Sequence, residues 1–441
     1  MSSISKFAIA GLVAFSVLAV SCKQNDLDPQ NPTTTPTTAT ADIRDSLWAY
    51  MQDVYLWYDK LPATFNPRSY SGPESEMDAL RAYQTLDQWS YVEKASDFNS
   101  YFSDGETKDF GFWIKYDSNN DLRVRYVYAQ SPAGKAGVER GWKLTSINGQ
   151  AIASVSDNAL ISAFYDATST TFGFQKADGS TVTIPLTTTT YTLNTVLFNK
   201  TYDVAGKKVG YLVFNSFTGT TSQNELKAVL SNFETAGVNE LIVDLRYNGG
   251  GDVNTQTMLA NALAPTSVTR SSVMFSYQHN QKLAQWNETT RFSKTGTINL
   301  SRIFFITTSS SASASELLIN NLKPYLDVKL IGKATHGKPV GMYGFEVMDY
   351  VLAPVAFKTV NAKNEGDYYS GLAVDASVAD GLDKNWGDPL ENCLAAALGY
   401  IQTGSFNVTT NGRLSAEQEL ANKPLDNKIV RELVVKAPST K

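Results

Sequence analysis

Apolar residues recur every third or fourth position at Ile43, Leu47, Met51, Val54, Tyr55 and Tyr58, before Pro62 interrupts the run. That period places one greasy stripe on a helix. A second helix is predicted over Glu74–Leu86. From about Lys108 the texture shortens to β-rich runs, and Phe112–Tyr116 and Leu122–Val127 read as strands around the polar turn Ser118-Asn119-Asn120-Asp121. Beyond Thr195, strand and helix alternate. Lys208–Phe214, Leu241–Leu245, Arg302–Thr307 and Val328–Gly332 read as strands. Ser222–Ala236, with Leu226, Val229, Leu230 and Phe233 on one face, and Thr255–Leu263 read as helices. Such alternation predicts crossover units and a mainly parallel sheet covered by helices. The expected fold is α/β (α+β multidomain), with an N-terminal helical domain at 42–104, a β-rich domain at 105–194, a parallel α/β domain at 195–403 and a tail at 404–441.

Composition narrows what such a chain does. With 441 residues and 42% hydrophobic content it has material for about three packed domains. A net charge of −5, with 38 Lys and Arg forming no basic block, excludes a nucleic-acid partner. Two histidines and two cysteines, without HExxH or CxxC spacing, leave no basis for a zinc site, and no cofactor is expected. Lys6 precedes a largely apolar run, Phe7–Val20, which falls short of the roughly 20 residues that span a bilayer. Residues 1–21 therefore read as a signal peptide. Ala19-Val20-Ser21-Cys22 resembles the lipobox of bacterial lipoproteins, which implies lipidation at Cys22 and a membrane partner through that anchor. The Pro/Thr-rich stretch 22–41 then reads as an extended tether. Whether the anchored protein faces the periplasm or the exterior stays open, as does its oligomeric state. Cys393, in the apolar stretch Leu390–Leu398, reads as a buried, inert thiol.

Chemistry concentrates in three places. An apolar strand, Arg302–Thr307, runs through small residues, Ser309 to Glu316, into a helix beginning near Leu317. This presents a serine at a helix N-terminus, where unpaired N–H groups and the dipole favour a developing anion. On local pattern alone an ordinary Ser N-cap explains the stretch as well. The second is Asp244-Leu245-Arg246-Tyr247-Asn248-Gly249-Gly250-Gly251, a glycine loop at the end of a strand, where open α/β sheets bind ligands. No Gly-Lys-Ser/Thr follows, which argues against a phosphate loop. The third is Thr335-His336-Gly337-Lys338-Pro339-Val340-Gly341, also after a strand.

Together these segments resemble the C-terminal processing peptidases, or tail-specific proteases. Ser311-Ala312-Ser313-Ala314-Ser315-Glu316 reproduces the family's motif, and 25 residues after Ser313 stands Lys338. The resemblance implies Ser313 as nucleophile, Lys338 as general base, and backbone N–H groups of Gly250 and Ala314 as the oxyanion hole. It implies serine endopeptidase activity on polypeptide tails or unfolded proteins. A Ser–Lys pair works only if the lysine is neutral, which burial against apolar surface favours. His336 is the other nearby base, and the family spacing selects Lys338. Many members carry glutamine four residues after the lysine; here Met342 stands there, so either another polar group supports Lys338 or the dyad is looser. The stretch from Ser131 to Gly149 resembles a PDZ domain of the bacterial protease type. By that resemblance Phe110, Gly111 and Phe112 form the carboxylate-binding loop that receives substrate, with Asp109 in place of a first glycine. The alternative function is a catalytically impaired lipoprotein that binds peptides or hydrophobic ligands on the same fold.

Overall fold

The computed structural model describes residues 42–101, 105–406 and the backbone of 434–436. The expected signal peptide, Cys22, the tether and most of the tail lie outside the described residues.

A six-stranded sheet organises the larger block, in the order Val196–Val204, Lys207–Phe214, Glu240–Asp244, Arg302–Thr307, Asp327–Gly332 and Ala376–Ser377. The first pair is antiparallel and the remaining pairs are parallel. Alternate residues on a strand point to opposite faces. Leu241, Val243, Ile303 and Phe305 thus meet the helices Gly219–Thr235, Val253–Leu263 and Ala314–Leu322. Ile242, Phe304 and Ile306 meet the helix Asn392–Thr403 on the other face, where Cys393 is fully buried and burial pushes its thiol well up. Both faces being covered, the strands read as unbroken apolar runs, as parallel strands should.

A second, antiparallel sheet lies beyond the helices and was not anticipated from the sequence. Its strands are Tyr91–Lys94, Val273–His279, Thr289–Arg291, Val340–Val347, Tyr350–Ala353 and Val355–Asn361, joined by Val434–Lys436. The expected N-terminal helices pack against it. The helix Ile43–Val54 buries Leu47, Met51 and Val54 in the same core as Leu317, Phe345 and Leu352, and Tyr91–Lys94 pairs with Tyr350–Ala353. Residues 42–101 therefore close no core of their own.

Between residues 105 and 194 a separate β-rich domain forms. Phe112–Tyr116, Leu122–Val127, Lys143–Ile147, Ser169–Gln175 and Thr181–Thr187 pair antiparallel around Phe112, Ile114, Leu144, Phe172 and Phe174. Arg140 of this domain docks it on the larger block through Asp380 (3.0 Å) and Tyr247 Oη (3.1 Å).

Candidate active site

The segment 308–313 leaves the buried strand Arg302–Thr307 and turns into the helix Ala314–Leu322, with Ser313 as its N-cap. Ser313 sits at φ 60°, ψ −113°, a conformation strongly disfavoured for a residue with a Cβ. Small residues permit the turn, and the glycine loop holds it. Ser311 Oγ donates to Leu245 O (2.6 Å), Ala312 N to Asn248 O (3.1 Å), and Ser315 Oγ to the same Asn248 O (2.9 Å). The two outer serines of the Ser311–Ser315 motif are thereby engaged in structure. The middle one is not: Ser313 Oγ is buried and has no hydrogen-bond partner among the described residues. A buried hydroxyl left unpaired costs free energy.

Lys338 reaches the same place along the neighbouring strand. Asp327–Gly332 pairs in parallel with Arg302–Thr307, and the loop that follows it returns past the serine helix before entering the strand Val340–Val347. Glu316, fully buried, ties the two segments together. Its Oε2 accepts from the backbone N–H of Ser313 (2.9 Å) and of Lys338 (2.9 Å). Its Oε1 accepts from Gly337 N (2.7 Å) and Thr335 Oγ1 (2.5 Å). Burial pushes the Glu316 carboxyl above the usual carboxylate range, against the pull of these four donors. Gly337, at φ 95°, leaves no room for a Cβ, which would meet Tyr369 O at 2.4 Å. Lys338 itself is 1% exposed. Because Ser313 Oγ is unpartnered, the Ser313–Lys338 hydrogen bond of a working dyad is not formed in this structure.

His336 is turned elsewhere. Its Nε2 accepts from Trp89 Nε1 (3.2 Å), which puts the ring proton on Nδ1, facing Ser309 O at 3.2 Å. Met342 is completely buried in the large apolar core, with its backbone paired to Val355, so it offers the lysine no polar support.

The glycine loop is fixed from below by Arg246, whose side chain is fully buried. Its guanidinium contacts Asp244 (2.6 Å), Asp380 (2.9 Å) and Glu391 (2.7 Å). Burial raises the Asp380 carboxyl, but the Arg246 and Arg140 guanidinium groups outweigh that and hold it far below the ordinary range. Gly250, at φ 108°, packs directly on the serine: a Cβ there would lie 2.7 Å from Ser313 Cβ. Its N–H, expected as an oxyanion donor, donates in this structure to Asn248 Oδ1 (2.9 Å) in an Asx-type turn. Ala314 N, 3.1 Å from that same Cβ position, is a first-turn donor that the helix itself cannot satisfy.

The expected substrate loop has its aromatic side chains turned into the domain. Phe110 and Phe112 are each 1% exposed and packed edge-on against Phe164 and Phe172, because a domain of this size needs its aromatics inside. Phe110 O and Gly111 O accept from Ala133 N and Tyr128 N within the domain. A crevice of about 40 Å³, bounded by Asp109, Trp113, Tyr126, Tyr247, Gly249 and Gly250, lies between this region and the glycine loop. Sequence reasoning missed the clamp by Glu316 and the capture of Gly250 by Asn248. Glu316 at the third helical position was the one available signal.

Two family models match the chain: "Peptidase family S41" over residues 208–377 and "Peptidase S41 N-terminal domain" over residues 42–91. A "Probable CtpA-like serine protease" of Staphylococcus saprophyticus is 24% identical over 330 residues, covering 68% of this chain and 65% of the relative. A protein of the same name from Staphylococcus aureus is 27% identical over 248 residues, covering 54% of this chain and 46% of the relative. The chain thus spans less than two thirds of the length of these curated relatives. A solved structure titled "Putative S41 protease" from Bacteroides fragilis is 26% identical, with a TM-score of 0.67, covering 84% of this chain and 99% of that one. The N-terminal segment and the serine–lysine block are the parts these models match, and in those parts the chain is similar to peptidase family S41.

Proposed function

We propose that the chain is a serine endopeptidase in which Ser313 attacks the peptide carbonyl while Lys338 takes its proton. The observation that carries this is the state of Ser313: a strained helix N-cap with a buried, unpartnered hydroxyl, joined through Glu316 to the backbone of Lys338. In the reaction Ser313 Oγ adds to the carbonyl carbon, and the proton passes to the neutral Lys338 amine and on to the leaving amine. The oxyanion is met by Ala314 N–H at the positive end of the serine helix. Water then cleaves the acyl-enzyme, Lys338 again taking the proton. A side-chain rotation that brings Lys338 Nζ onto Ser313 Oγ must precede the first step.

The substrates we assign are polypeptide tails or unfolded proteins in the cell envelope. The export-type N-terminus and the lipobox-like Cys22 support that setting. The name shared by the staphylococcal relatives, a CtpA-like serine protease, supports the chemistry. The β-rich domain, read as PDZ-like, receives the substrate over the crevice beside Gly249 and Gly250. A second reading, a non-catalytic peptide binder, draws on the unformed Ser313–Lys338 contact. Labelling with a fluorophosphonate or a peptide chloromethyl ketone separates them. A peptidase gives a covalent adduct on Ser313 that is lost in Ser313→Ala; a binder gives none.

A further inference from the structure

The strand Val340–Val347 begins two residues after Lys338, and its two edges are covered very unequally. One edge is paired antiparallel by residues 350–361, which run past Pro354 as a single partner: Val347 opposite Tyr350, Phe345 opposite Leu352, Met342 opposite Val355 and Val340 opposite Lys358. The other edge carries, among the described residues, only Val434–Lys436, in parallel, with Met342 opposite Val434, Tyr343 opposite Val435 and Gly344 opposite Lys436. Met342 faces both partners, so they must lie on opposite sides. Among the described residues, the strand that issues from the lysine loop is therefore an edge strand, closed over three residues by a distant segment of the same chain.

An edge strand presents a row of backbone donors and acceptors that any extended polypeptide can pair with, whatever its side chains. Followed back from Met342 to Lys338, a strand laid on this edge covers four residues, about 13 Å at ~3.3 Å per residue. A polypeptide in the orientation of Val434–Lys436 thus has its amino-terminal side directed toward Lys338 and its carboxyl-terminal side toward Gly344. We propose that this edge is where a substrate's extended backbone pairs, and that Val434–Lys436 is its competitor in cis, holding the edge until substrate displaces it. The inference rests on the peptidase reading and adds to it a docking strand and a regulator. Main-chain pairing of this kind selects for extended, unfolded chain and tolerates many side chains.

The test uses the full-length chain carrying Val434→Pro and Val435→Pro. Proline removes a ladder N–H, and two in succession cover both bonding phases of a parallel strand. If the tail occupies the edge at rest, apparent affinity is lowered by the fraction of molecules left open. KM for an unstructured peptide should then fall by about threefold or more, with kcat unchanged. An unchanged or higher KM overturns the proposal. A second readout needs no turnover: in a Ser313→Ala background, a fluorescein-labelled peptide of sequence 428–441 should bind the proline variant more tightly than the unmodified tail, by fluorescence anisotropy. Equal binding to both, or binding to neither, overturns it. An anisotropy difference together with a wild-type chain that hydrolyses no peptide supports the tail's place on this edge and overturns only the peptidase reading.

Discussion

Ser313 combines two local costs, a backbone at φ 60°, ψ −113° and a buried hydroxyl without a partner. Strain of that kind amounts to about 1–3 kcal/mol and persists only where the surroundings impose it. Here the hydrogen bonds of Ser311, Ala312, Ser315 and Glu316 impose it. Ser313→Gly should therefore raise the Tm, by about 1 kcal/mol in stability, while abolishing hydrolysis. A lower Tm in this variant would mean that the serine backbone is unstrained. Glu316 works through others: its carboxylate positions both the Ser313 and the Lys338 segments. Glu316→Gln turns one acceptor oxygen into a donor facing N–H groups. Stability should drop by about 1–3 kcal/mol, and kcat should fall with KM little changed. A loss confined to Tm would reduce Glu316 to scaffolding. That the Ser313 and Lys338 segments meet was legible in the sequence, because motif and spacing specify them together. The capture of the Gly250 N–H by Asn248 was not, since it depends on loop geometry that no residue pattern encodes.

Elements whose hydrophobic pattern matched their surroundings were read well. Phe112–Tyr116, Leu122–Val127 and Arg302–Thr307 have the expected bounds. The first helix was expected to reach Tyr58 and stops at Val54, because Leu56 N pairs with Val355 O and Asn280 Nδ2 donates to the carbonyls of Asp53 and Tyr55. Those partners are more than two hundred residues away and leave no local sign. The second helix, expected to reach Leu86, ends at Arg81. The antiparallel sheet escaped notice because Val355–Asn361 is buried on both faces and shows no alternation, while Gly341 and Gly344 interrupt Val340–Val347. The second helix carries its own test. Glu76 is fully buried with both carboxylate oxygens unpartnered among the described residues, and burial raises it to about 8. An acid whose folded pKa lies above its unfolded value stabilises the fold at low pH and loses that contribution as pH rises through the window from about 4.5 to about 8. The wild-type Tm should accordingly decline across that window more steeply than the Tm of Glu76→Gln. Parallel curves would show that Glu76 ionises at its ordinary pH.

At the scale of the whole molecule, two cores are joined by buried charge. Arg140, from the β-rich domain, and Arg246, under the glycine loop, share the Asp380 carboxylate. Docking of the smaller domain and the seating of the loop that carries Gly250 therefore run through one group. Asp380→Asn leaves two buried guanidinium groups short of a counter-charge and should cost about 3–5 kcal/mol. Thermal unfolding would register this, and a change below 1 kcal/mol would mean that water already reaches the junction. No residue pattern announced this network, because Arg140, Arg246, Asp380 and Glu391 come from four separate stretches of the chain. The division into a β-rich block and an α/β block was legible, whereas the merging of the N-terminal helices with the latter depended on pairings too distant to read.

The most direct test of the Ser313–Lys338 assignment is kcat/KM on one unstructured peptide for Lys338→Ala, Lys338→Arg and His336→Ala. Lys338→Ala should lose about 10³-fold or more, as members of a catalytic unit do. Lys338→Arg should not recover it, because a guanidinium does not deprotonate at usable pH. His336→Ala, which removes contacts to Trp89 and Ser309, should stay within about tenfold, equivalent to roughly 1.4 kcal/mol. An inactive His336→Ala beside an active Lys338→Ala would contradict the account.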